Sequence, residues 1–394
     1  MKNIYAILKK RIFSFSPSRP IFFNLAKTQD QSALAKLLQK NPGIYITDDY
    51  QEQLRELFAI KNPPLAFQSD FEKKFLEYQK NLTSKASLWQ QGKWAYFPWL
   101  KTLVHILEER DFFTVRTGRN LNLITREEQK KFYNAKVGIA GLSIGNSVAV
   151  ALVLQGGAKY IRLADFDQLA LSNTNRIRAG VQNLGLSKVE LTARQIYEIN
   201  PYSHIQTFPG GITSSNIKKF IEGQDVIVDE MDNLSLKLLL RMEAKKHKIP
   251  VVMGADNGDT AVIDIERYDK KQKVNFFHSR LKNVTFKKLQ NLNKLETGKT
   301  IAQLIGLENH TGRMLNSLKE IGKSVVSWPQ LGGSAMLNGA AVAYCVRKVV
   351  CSQSLEDNRG IISLDAIFQQ NYFSKKEKTS RQSVIKKFKQ IFKL

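Results

Sequence analysis

Cysteine is scarce in this sequence. Only Cys345 and Cys351 occur among 394 residues, and both lie in one apolar stretch with helical spacing. Two thiols in a single apolar stretch are typical of buried side chains, and a disulfide scaffold needs more cysteines than this. The sequence therefore predicts a fold without disulfides, and this composition favours the cytoplasm.

Long apolar runs are also missing. No stretch reaches the length of a helix that spans a bilayer, which is about 20 residues. The first fifteen residues are basic and apolar, but they lack a continuous apolar core and a small-residue cleavage site. We therefore expect neither a transmembrane helix nor a secretory signal.

Acidic residues are few compared with basic ones. The chain has 35 Asp and Glu against 60 Lys and Arg, which gives a formal charge of +25. Such an excess favours anionic partners such as nucleotides, nucleic acid or an anionic membrane surface, although a well-solvated basic surface would give the same composition. Hydrophobic residues make up 43% of the chain, so the protein is globular, and its length predicts two or three domains.

Composition and breaks in periodicity divide the chain into three regions. Residues 1–110 form a mainly helical N-terminal region, residues 111–350 form the central domain, and residues 351–394 form a basic tail with an amphipathic helix. In the first region the aromatic run Trp94–Trp99 leads into a predicted helix, Leu100–Glu108, on which His105 is a packed histidine. The aromatic run is typical of a packing seam, and a base-stacking platform is the alternative.

The central domain is organised around residues 136–188. The apolar stretch Lys136–Ala140 predicts a buried strand, which a small-residue turn and a helix follow. A second strand, Tyr160–Ala164, ends at Asp165 and Asp167. This order is the signature of a mononucleotide-binding βαβ unit, in which the helix N-terminus faces a phosphate and the acid binds ribose hydroxyls.

The turn departs from the dinucleotide fingerprint. Ala140 and Leu142 occupy the positions of the first two glycines, and only Gly145 fits the third. A leucine side chain at the second position would crowd a pyrophosphate lying across the turn. This argues against NAD or FAD and leaves room for a nucleotide in another pose.

Further strands alternate with helices along the domain. Ile205–Phe208, Asp225–Asp229 and Ile249–Gly254 predict strands, and Thr260–Tyr268 predicts an antiparallel arm. The fold class predicted from this alternation is α/β, a Rossmann-like doubly wound and mostly parallel sheet with an antiparallel arm.

Several polar motifs follow the βαβ unit in a fixed order. They are Ser172–Arg176, Lys188, Asn200–Pro201 and Asp229–Asn233. As an ordered set this resembles the ThiF/MoeB/HesA family, the adenylyltransferases related to ubiquitin-activating enzymes. The resemblance covers about residues 112–268 well and 328–350 more loosely, and the Gly141–Gly145 turn and Trp328–Gln330 are similar to a less characterised bacterial branch.

The resemblance implies an ATP-dependent enzyme in which a substrate carboxylate attacks the α-phosphorus and pyrophosphate leaves. Asp165 would hold the ribose, Asn173, Arg176 and Lys188 would meet phosphates, and Asp232 would hold Mg²⁺, which takes oxygen ligands. An alternative role for Asp232 is the N-cap of the helix that begins at residue 234. The complete nucleotide-binding set implied by the resemblance is Gly141, Gly145, Asp165, Asp167, Ser172, Asn173, Asn175, Arg176, Lys188, Asp232 and Asn233.

An arginine upstream of the nucleotide fold completes the implied catalytic set. Carried over from the family, Arg119 would reach ATP in the neighbouring subunit of a homodimer, where a permanent cation suits a triphosphate. The alternative is an ordinary surface arginine. Just beyond it, Thr125 and Glu128 have the spacing of a capping box, which predicts a helix start.

The region between residues 269 and 327 lacks what many relatives carry there. It contains neither the Cys-x-x-Cys pairs that hold zinc nor a cysteine for a substrate thioester. We therefore predict no structural zinc and no enzyme-bound thioester. Gly332–Val350 is predicted to be a core or dimer helix.

Two basic features have no assigned role. Lys237 and Arg241 would project from one helical face, where they could recognise an acidic substrate or simply decorate the surface. The tail presents Val384, Phe388 and Ile391 on one helical face and lysines mostly opposite, which suits contact with an anionic membrane surface or nucleic acid, or docking on the protein itself.

Three functions stay open at this point. The first is adenylation of a carboxylate, such as the C-terminus of a ubiquitin-like or sulfur-carrier protein. The second is activation of a carboxylate on a modified tRNA base, which the positive charge favours. The third is a nucleotide-binding interaction module without turnover, which the departures at Ala140 and Leu142 favour.

Overall fold

A computed structural model describes residues 18–84, 86–271 and 274–392. The chain divides into two compact units with the boundary between Ile124 and Thr125. Among the described helices, none is long and apolar enough to cross a membrane. The basic N-terminal fifteen residues, for which no secretory role is predicted, lie outside the described residues.

The N-terminal unit surrounds a small sheet with helices. Its described strands are β1 (Ile21–Phe23), β2 (Tyr45–Asp48), β3 (Lys93–Phe97) and β4 (Thr102–Ile106), in the order β1-β3-β4-β2. Its described helices are α1 (Thr28–Lys40), α2 (Tyr50–Lys61), α3 (Phe71–Thr83) and α4 (Glu109–Arg116). Strand β2 runs parallel to β4, and the other pairs are antiparallel. Its described helices contain more residues than its strands do, and the sheet supplies the surface on which they pack.

The predicted helix Leu100–Glu108 is wrong, because this segment is strand β4, paired with β3. A run of five apolar-rich residues fits both helical and strand periodicity, and pairing with the aromatic strand decides the outcome. His105 is buried, stacked between Tyr50 at 4.0 Å and Trp94 at 4.3 Å between ring centroids. The aromatic run is thus a packing seam.

The C-terminal unit carries the larger sheet. Its described strands are β5 (Lys136–Ala140), β6 (Tyr160–Ala164), β7 (His204–Phe208), β8 (Val226–Asp229), β9 (Val251–Asp256), β10 (Thr260–Glu266) and β11 (Arg359–Ser363). Its described helices are α5 (Arg126–Tyr133), α6 (Ile144–Leu154), α7 (Lys188–Ile199), α8 (Ile217–Ile221), α9 (Leu234–Lys246), α10 (Phe286–Gln290), α11 (Lys294–Ile305), α12 (Gly312–Leu318), α13 (Gly332–Val350), α14 (Leu364–Phe368) and α15 (Lys375–Phe392).

The strand order in this sheet is β11-β10-β9-β8-β5-β6-β7. Strands β9, β8, β5, β6 and β7 are parallel, and β10 and β11 extend the sheet in antiparallel fashion. The predicted Rossmann-like sheet with an antiparallel arm is confirmed. Because β8, β5 and β6 are neighbours, the loops after their carboxyl ends meet at one edge, where open α/β sheets bind ligands.

Helix α13 packs closely on helix α6 because small residues line their contact. A Cβ built on Gly339 would lie 2.8 Å from the backbone of Ser147, closer than side-chain carbons approach in proteins. Ala335, Val342 and Ala343 are fully buried beside it. The small-residue stretch therefore allows α13 to reach the sheet and bring its first turn to the ligand edge.

The C-terminal segment belongs to the second unit. Strand β11 completes the sheet, and Phe388 of α15 is buried in a cluster with Met314 and Leu315 of α12. Val384 packs against the same cluster. Two of the three apolar residues on this face, Val384 and Phe388, are thus packed on protein, as the docking alternative for the tail predicts, whereas Ile391 is 59% exposed.

Candidate functional site

The turn between β5 and α6 is held tightly against the end of β8. Gly141 has φ +87°, and a Cβ there would lie 2.4 Å from the carbonyl oxygen of Glu230. A Cβ on Gly145 would lie 2.9 Å from the Ile139 side chain, so this glycine allows the helix to pack on the strand. Both glycines are required by close approach, and they set the N-terminus of α6 at the ligand edge.

Leu142 points into the core and not across the turn. Its side chain is fully buried, and its backbone N–H donates to Oδ2 of Asp165 at 2.6 Å. The steric argument that Leu142 would crowd a pyrophosphate is therefore wrong, because the side chain does not lie on the solvent side of the turn. The turn therefore differs from the dinucleotide fingerprint in its sequence, but the Leu142 side chain gives no steric reason against a pyrophosphate there.

The carboxylate of Asp165 holds two backbone segments together. Oδ2 accepts from the turn as described, and Oδ1 accepts from the backbone N–H of Asp167 at 2.8 Å. Each carboxylate oxygen has a further lone pair, which a ribose hydroxyl could use. This arrangement fixes Asp165 at the end of β6 and leaves one lone pair on each carboxylate oxygen for a ligand.

Lys188 begins helix α7 and is buried despite its charge. Its Nζ forms an ion pair with Oδ2 of Asp167 at 2.7 Å, and its backbone N–H donates to the carbonyl of the same residue. An ammonium group has three donors, so the ion pair leaves capacity for a phosphate oxygen. The half-exposed carboxylate of Asp167 thereby holds the lysine beside Asp165.

Arg176 is fixed by hydrogen bonds from its own loop and from the turn. Nε donates to Oγ of Ser143 at 2.8 Å, and Nη1 donates to Oδ1 of Asn175 at 3.0 Å and to the carbonyl of Ser172 at 3.3 Å. Burial lowers the pKa of Arg176, and the nearby carboxylates of Asp232 and Asp256 oppose this. The guanidinium thus lies between the start of α6 and two acids.

Asp232 follows strand β8 in a recess crowded by protein atoms. Its side chain is accessible to solvent, but the surrounding protein atoms remove part of its hydration, and this desolvation raises the pKa of its carboxyl group. The positive charges of Lys237, Lys188 and Arg176 lower that pKa. Asp165 adds a smaller upward effect. The hydrogen bonds of Asp165 and Arg176 to the β5–α6 turn and the ion pair of Lys188 with Asp167 bring these residues to one edge of the sheet, where Asp232 follows the neighbouring strand β8.

The remaining predicted residues have local roles. Asn233, and not Asp232, is the N-cap of α9, because its Oδ1 accepts from Leu236 N at 3.0 Å. Oδ1 of Asn173 accepts from Ala170 N at 3.1 Å within its own turn. Arg119 lies in a single 3₁₀ turn of the N-terminal unit, and its proposed reach toward ATP stays a prediction.

Lys237 and Arg241 do not form a basic surface. Arg241 is fully buried and donates to Oδ2 of Asp229 at 2.5 Å and to Oε2 of Glu266 at 2.6 Å. Lys237 is also buried and pairs with Oδ1 of Asp229 at 3.2 Å. Both interpretations of this pair as surface residues are wrong, because the helix turns this face toward the acidic ends of the strands.

Three buried polar residues beside the site, Asp256, Asn338 and Glu230, were not predicted to be site residues. Asp256 Oδ1 accepts from Asn338 Nδ2 at 2.5 Å, and Glu230 Oε1 accepts from Gly254 N at 2.9 Å. Burial raises the pKa of Asp256 to about 6, against the influence of Asn338, Ser334 and Arg176, and it raises the pKa of Glu230 well above its usual range. The sequence signal that could have identified Asp256 and Glu230 is an acidic residue at the end of an otherwise apolar strand.

The residues at this edge of the sheet suit a nucleoside triphosphate with a hard cation such as Mg²⁺. The side chains of Arg176 and Lys188 can face phosphates, and the Asp165 carboxylate can accept further hydrogen bonds from a ribose. Among the described residues there is no group of three or more His, Cys, Asp or Glu that could hold a metal alone. A single carboxylate such as Asp232 fits Mg²⁺, which keeps waters and takes its other ligands from phosphates.

Comparison with known proteins gives one family. The ThiF family pattern matches residues 117–356. A mycobacterial relative, the uncharacterized protein MT1398 of Mycobacterium tuberculosis, is 33% identical over 332 residues, which cover 84% of this chain and 43% of that protein.

Two relatives with named activities match over shorter stretches. The tRNA threonylcarbamoyladenosine dehydratase of Escherichia coli is 28% identical over 144 residues, which cover 36% of this chain and 54% of that protein. The molybdopterin-synthase adenylyltransferase of Haemophilus influenzae is 26% identical over 136 residues, 34% of this chain and 56% of that protein. The chain thus spans about half the length of these curated relatives.

Proposed function

The chain belongs to the ThiF family, and from this premise we propose that it is an ATP-dependent adenylyltransferase that activates a substrate carboxylate as an acyl-adenylate. The observation that carries the proposal is that Asp165, Lys188 and Arg176 lie together at the β5–α6 turn and the end of β6. Asp165 is hydrogen-bonded to the Leu142 backbone, Arg176 to Ser143 and Lys188 to Asp167, and Asp232 follows the neighbouring strand β8. The ThiF relative from Haemophilus influenzae, named an adenylyltransferase, supports the reaction class.

The proposed roles follow from charge. A carboxylate oxygen of the acceptor attacks the α-phosphorus, the bond from that phosphorus to the bridging oxygen breaks, and pyrophosphate leaves. Both reactants are anions, so Arg176 and Lys188 offset their repulsion and stabilise charge on the phosphates. Asp165 orients the ribose. Mg²⁺, held by Asp232, would supply further charge neutralisation when bound. No side-chain base is needed, since a carboxylate is already a nucleophile at neutral pH.

The acceptor is a carboxylate-bearing protein, peptide or small molecule. A tRNA is the second candidate, because a dehydratase named for a tRNA substrate matches this domain and the chain carries a charge of +25. Binding of tRNA with an affinity that falls steeply as salt rises would favour it. A nucleotide-binding module without turnover is the third, and its mark would be ATP binding without pyrophosphate exchange.

A homodimer is part of the proposal. Helix α13 exposes an apolar stripe in which Met336 is 61% and Tyr344 is 46% exposed, with Ala340 between them. Exposed apolar side chains at helical spacing suit the surface of a second copy. The reach of Arg119 to ATP of the neighbouring copy is a separate part of the proposal, which rests on the family resemblance. Sedimentation equilibrium of the wild type and of Met336→Lys tests this stripe.

The test of the adenylation proposal is ATP binding and pyrophosphate–ATP exchange. We expect Arg176→Ala to weaken ATP binding about tenfold to a hundredfold, since a hydrogen bond to a charged group contributes about 1.5–3 kcal/mol. Asp232→Ala should remove the dependence of ATP binding on Mg²⁺. Arg126→Ala, at the exposed start of α5, is the matched control and should behave as the wild type.

The outcomes separate the candidates. Exchange in the wild type that both site variants lose supports adenylation. Exchange can require the acceptor, so binding is measured in parallel. Failure of the wild type to bind ATP at millimolar concentration would reject the proposal.

A further inference from the structure

The segment Trp328–Gln330 contacts the loop that carries Arg176. The carbonyl oxygen of Gln330 accepts a hydrogen bond from Nδ2 of Asn175 at 2.9 Å. Oδ1 of the same amide accepts from Nη1 of Arg176 at 3.0 Å. One side-chain amide therefore connects the backbone before helix α13 to the guanidinium.

A glycine makes a second contact at the same place. The backbone at Gly332 lies so near the loop that a Cβ would be 2.4 Å from the carbonyl oxygen of Asn175. Real Cβ atoms do not approach a carbonyl this closely, and the obstructing atom is backbone, so the loop itself would have to move. At Gly333, the next residue, a Cβ would have no heavy atom within 4 Å.

The segment is anchored before it reaches these contacts. The indole of Trp328 packs against the cluster that contains Met314, Leu315 and Phe388, and it meets His310 edge to face. Pro329 follows and restricts the backbone, because its ring fixes φ. The carbonyl of Gln330 is thus presented by a segment with little freedom, and the docked C-terminal helix contributes to that anchor through Phe388.

We infer that Gln330 and Gly332 form a backbone clamp on Asn175, which positions the Arg176 guanidinium for the phosphates of bound ATP. The inference rests on the proposed function. Arg176 also donates Nε to Ser143 at the start of α6, so its place depends on two loops that the clamp keeps in register. Gln330 and Gly332 are positioning residues, which act through Asn175.

The experiment compares two neighbouring glycines. Gly332→Ala and Gly333→Ala make the same chemical change one residue apart in the first turn of α13, and only the first meets an obstacle. Affinities for ATP and for adenosine are measured by titration calorimetry on the full chain. We expect Gly332→Ala to weaken ATP binding on the order of tenfold or more, because small misplacements of a binding group have large effects.

Adenosine distinguishes positioning from general damage. It lacks the phosphates that Arg176 would meet, so its affinity should be the same in the wild type and both variants. Gly333→Ala should bind ATP as the wild type does. If Gly332→Ala does not fold, as judged by thermal denaturation, Asn175→Ala removes both amide hydrogen bonds without added bulk and should show the same selective loss.

The alternatives give different results. Equal ATP affinity in Gly332→Ala and Gly333→Ala would overturn the inference and leave the proposed function intact. A parallel loss of ATP and adenosine binding in Gly332→Ala would overturn positioning as the cause. A wild type that binds no ATP would reject the proposed function and the inference together.

Discussion

Replacing the buried acid Asp256 by asparagine should stabilise this protein above neutral pH. Asp256 is 5% exposed, and Oδ1 accepts from Asn338 Nδ2 and from Ser334 Oγ. Oδ2 has no hydrogen-bond partner among the described residues. An asparagine keeps an acceptor for Asn338, and it removes a negative charge that the site desolvates.

The size of the effect follows from proton linkage. Burial raises the pKa of Asp256 from an ordinary value of 3.8 to about 6. A raised pKa means that proton binding favours the folded state, here by about 3 kcal/mol. This stabilisation is complete below pH 3.8 and is lost as the pH rises through about 6. The Asp256→Asn chain has no such titration, so the difference in unfolding free energy should move about 3 kcal/mol in its favour across this window.

Urea denaturation at a series of pH values, followed by circular dichroism, measures this difference. The matched control is Asp264→Asn, a buried acid that accepts from Nε of Arg359 at 2.7 Å. Because that change removes the negative charge that compensates a buried guanidinium, it should destabilise by about 3–5 kcal/mol at neutral pH. The two buried acids should therefore respond with opposite sign.

Two results would refute the reasoning. One is a difference between wild type and Asp256→Asn that does not change with pH, since titration of this group is the stated cause. The other is a loss of stability in Asp256→Asn at pH 8 comparable to that of the control. Either result would mean that the ionised carboxylate is well solvated or paired in the folded protein.

Three further changes test separate parts of the structure. Arg241→Leu leaves the buried carboxylates of Asp229 and Glu266 without their arginine partner and should cost about 3–5 kcal/mol by chemical denaturation, and an unchanged midpoint would contradict the burial of this network. Gly141→Ala places a Cβ against the Glu230 carbonyl at positive φ, so we expect about 1–3 kcal/mol of lost stability together with weakened ATP binding, measured by thermal shift with and without nucleotide. His105→Ala removes a ring stacked between two aromatic side chains and should destabilise the N-terminal unit by about 3 kcal/mol, read from tryptophan fluorescence, whereas a silent change would show that the stack contributes little.

Local pattern was sufficient for much of the main fold. The strand, turn and helix around Gly141 follow from apolar runs separated by small residues, and the parallel order follows from their alternation with helices. The capping box of Thr125 and Glu128 forms with hydrogen bonds of 3.0 and 3.2 Å. The helix Gly332–Val350 has the predicted ends. These features depend on residues close in sequence, so their signals are local.

Packing between distant segments decided the rest. Leu103 and Ile106 fit a helix as well as a strand, and pairing with β3 on one side and β2 on the other made their segment β4. Arg241 could have faced water, but Asp229 and Glu266, brought from two strands, made a buried ion-pair network the outcome.

The candidate site shows the same division. The sequence alone determined which residues carry charge after each strand, and its resemblance to a known family implied that they bind one nucleotide. Only the tertiary structure decided that Leu142 turns into the core, that Asn233 takes the cap in place of Asp232, and that Gly332 reaches the Asn175 loop. The position of Leu142 and the approach of Gly332 depend on contacts between segments far apart in the chain, for which no single stretch of sequence carries the information. The cap is a local contact between Asn233 and Leu236, and the backbone geometry at the start of the helix decides which residue makes it.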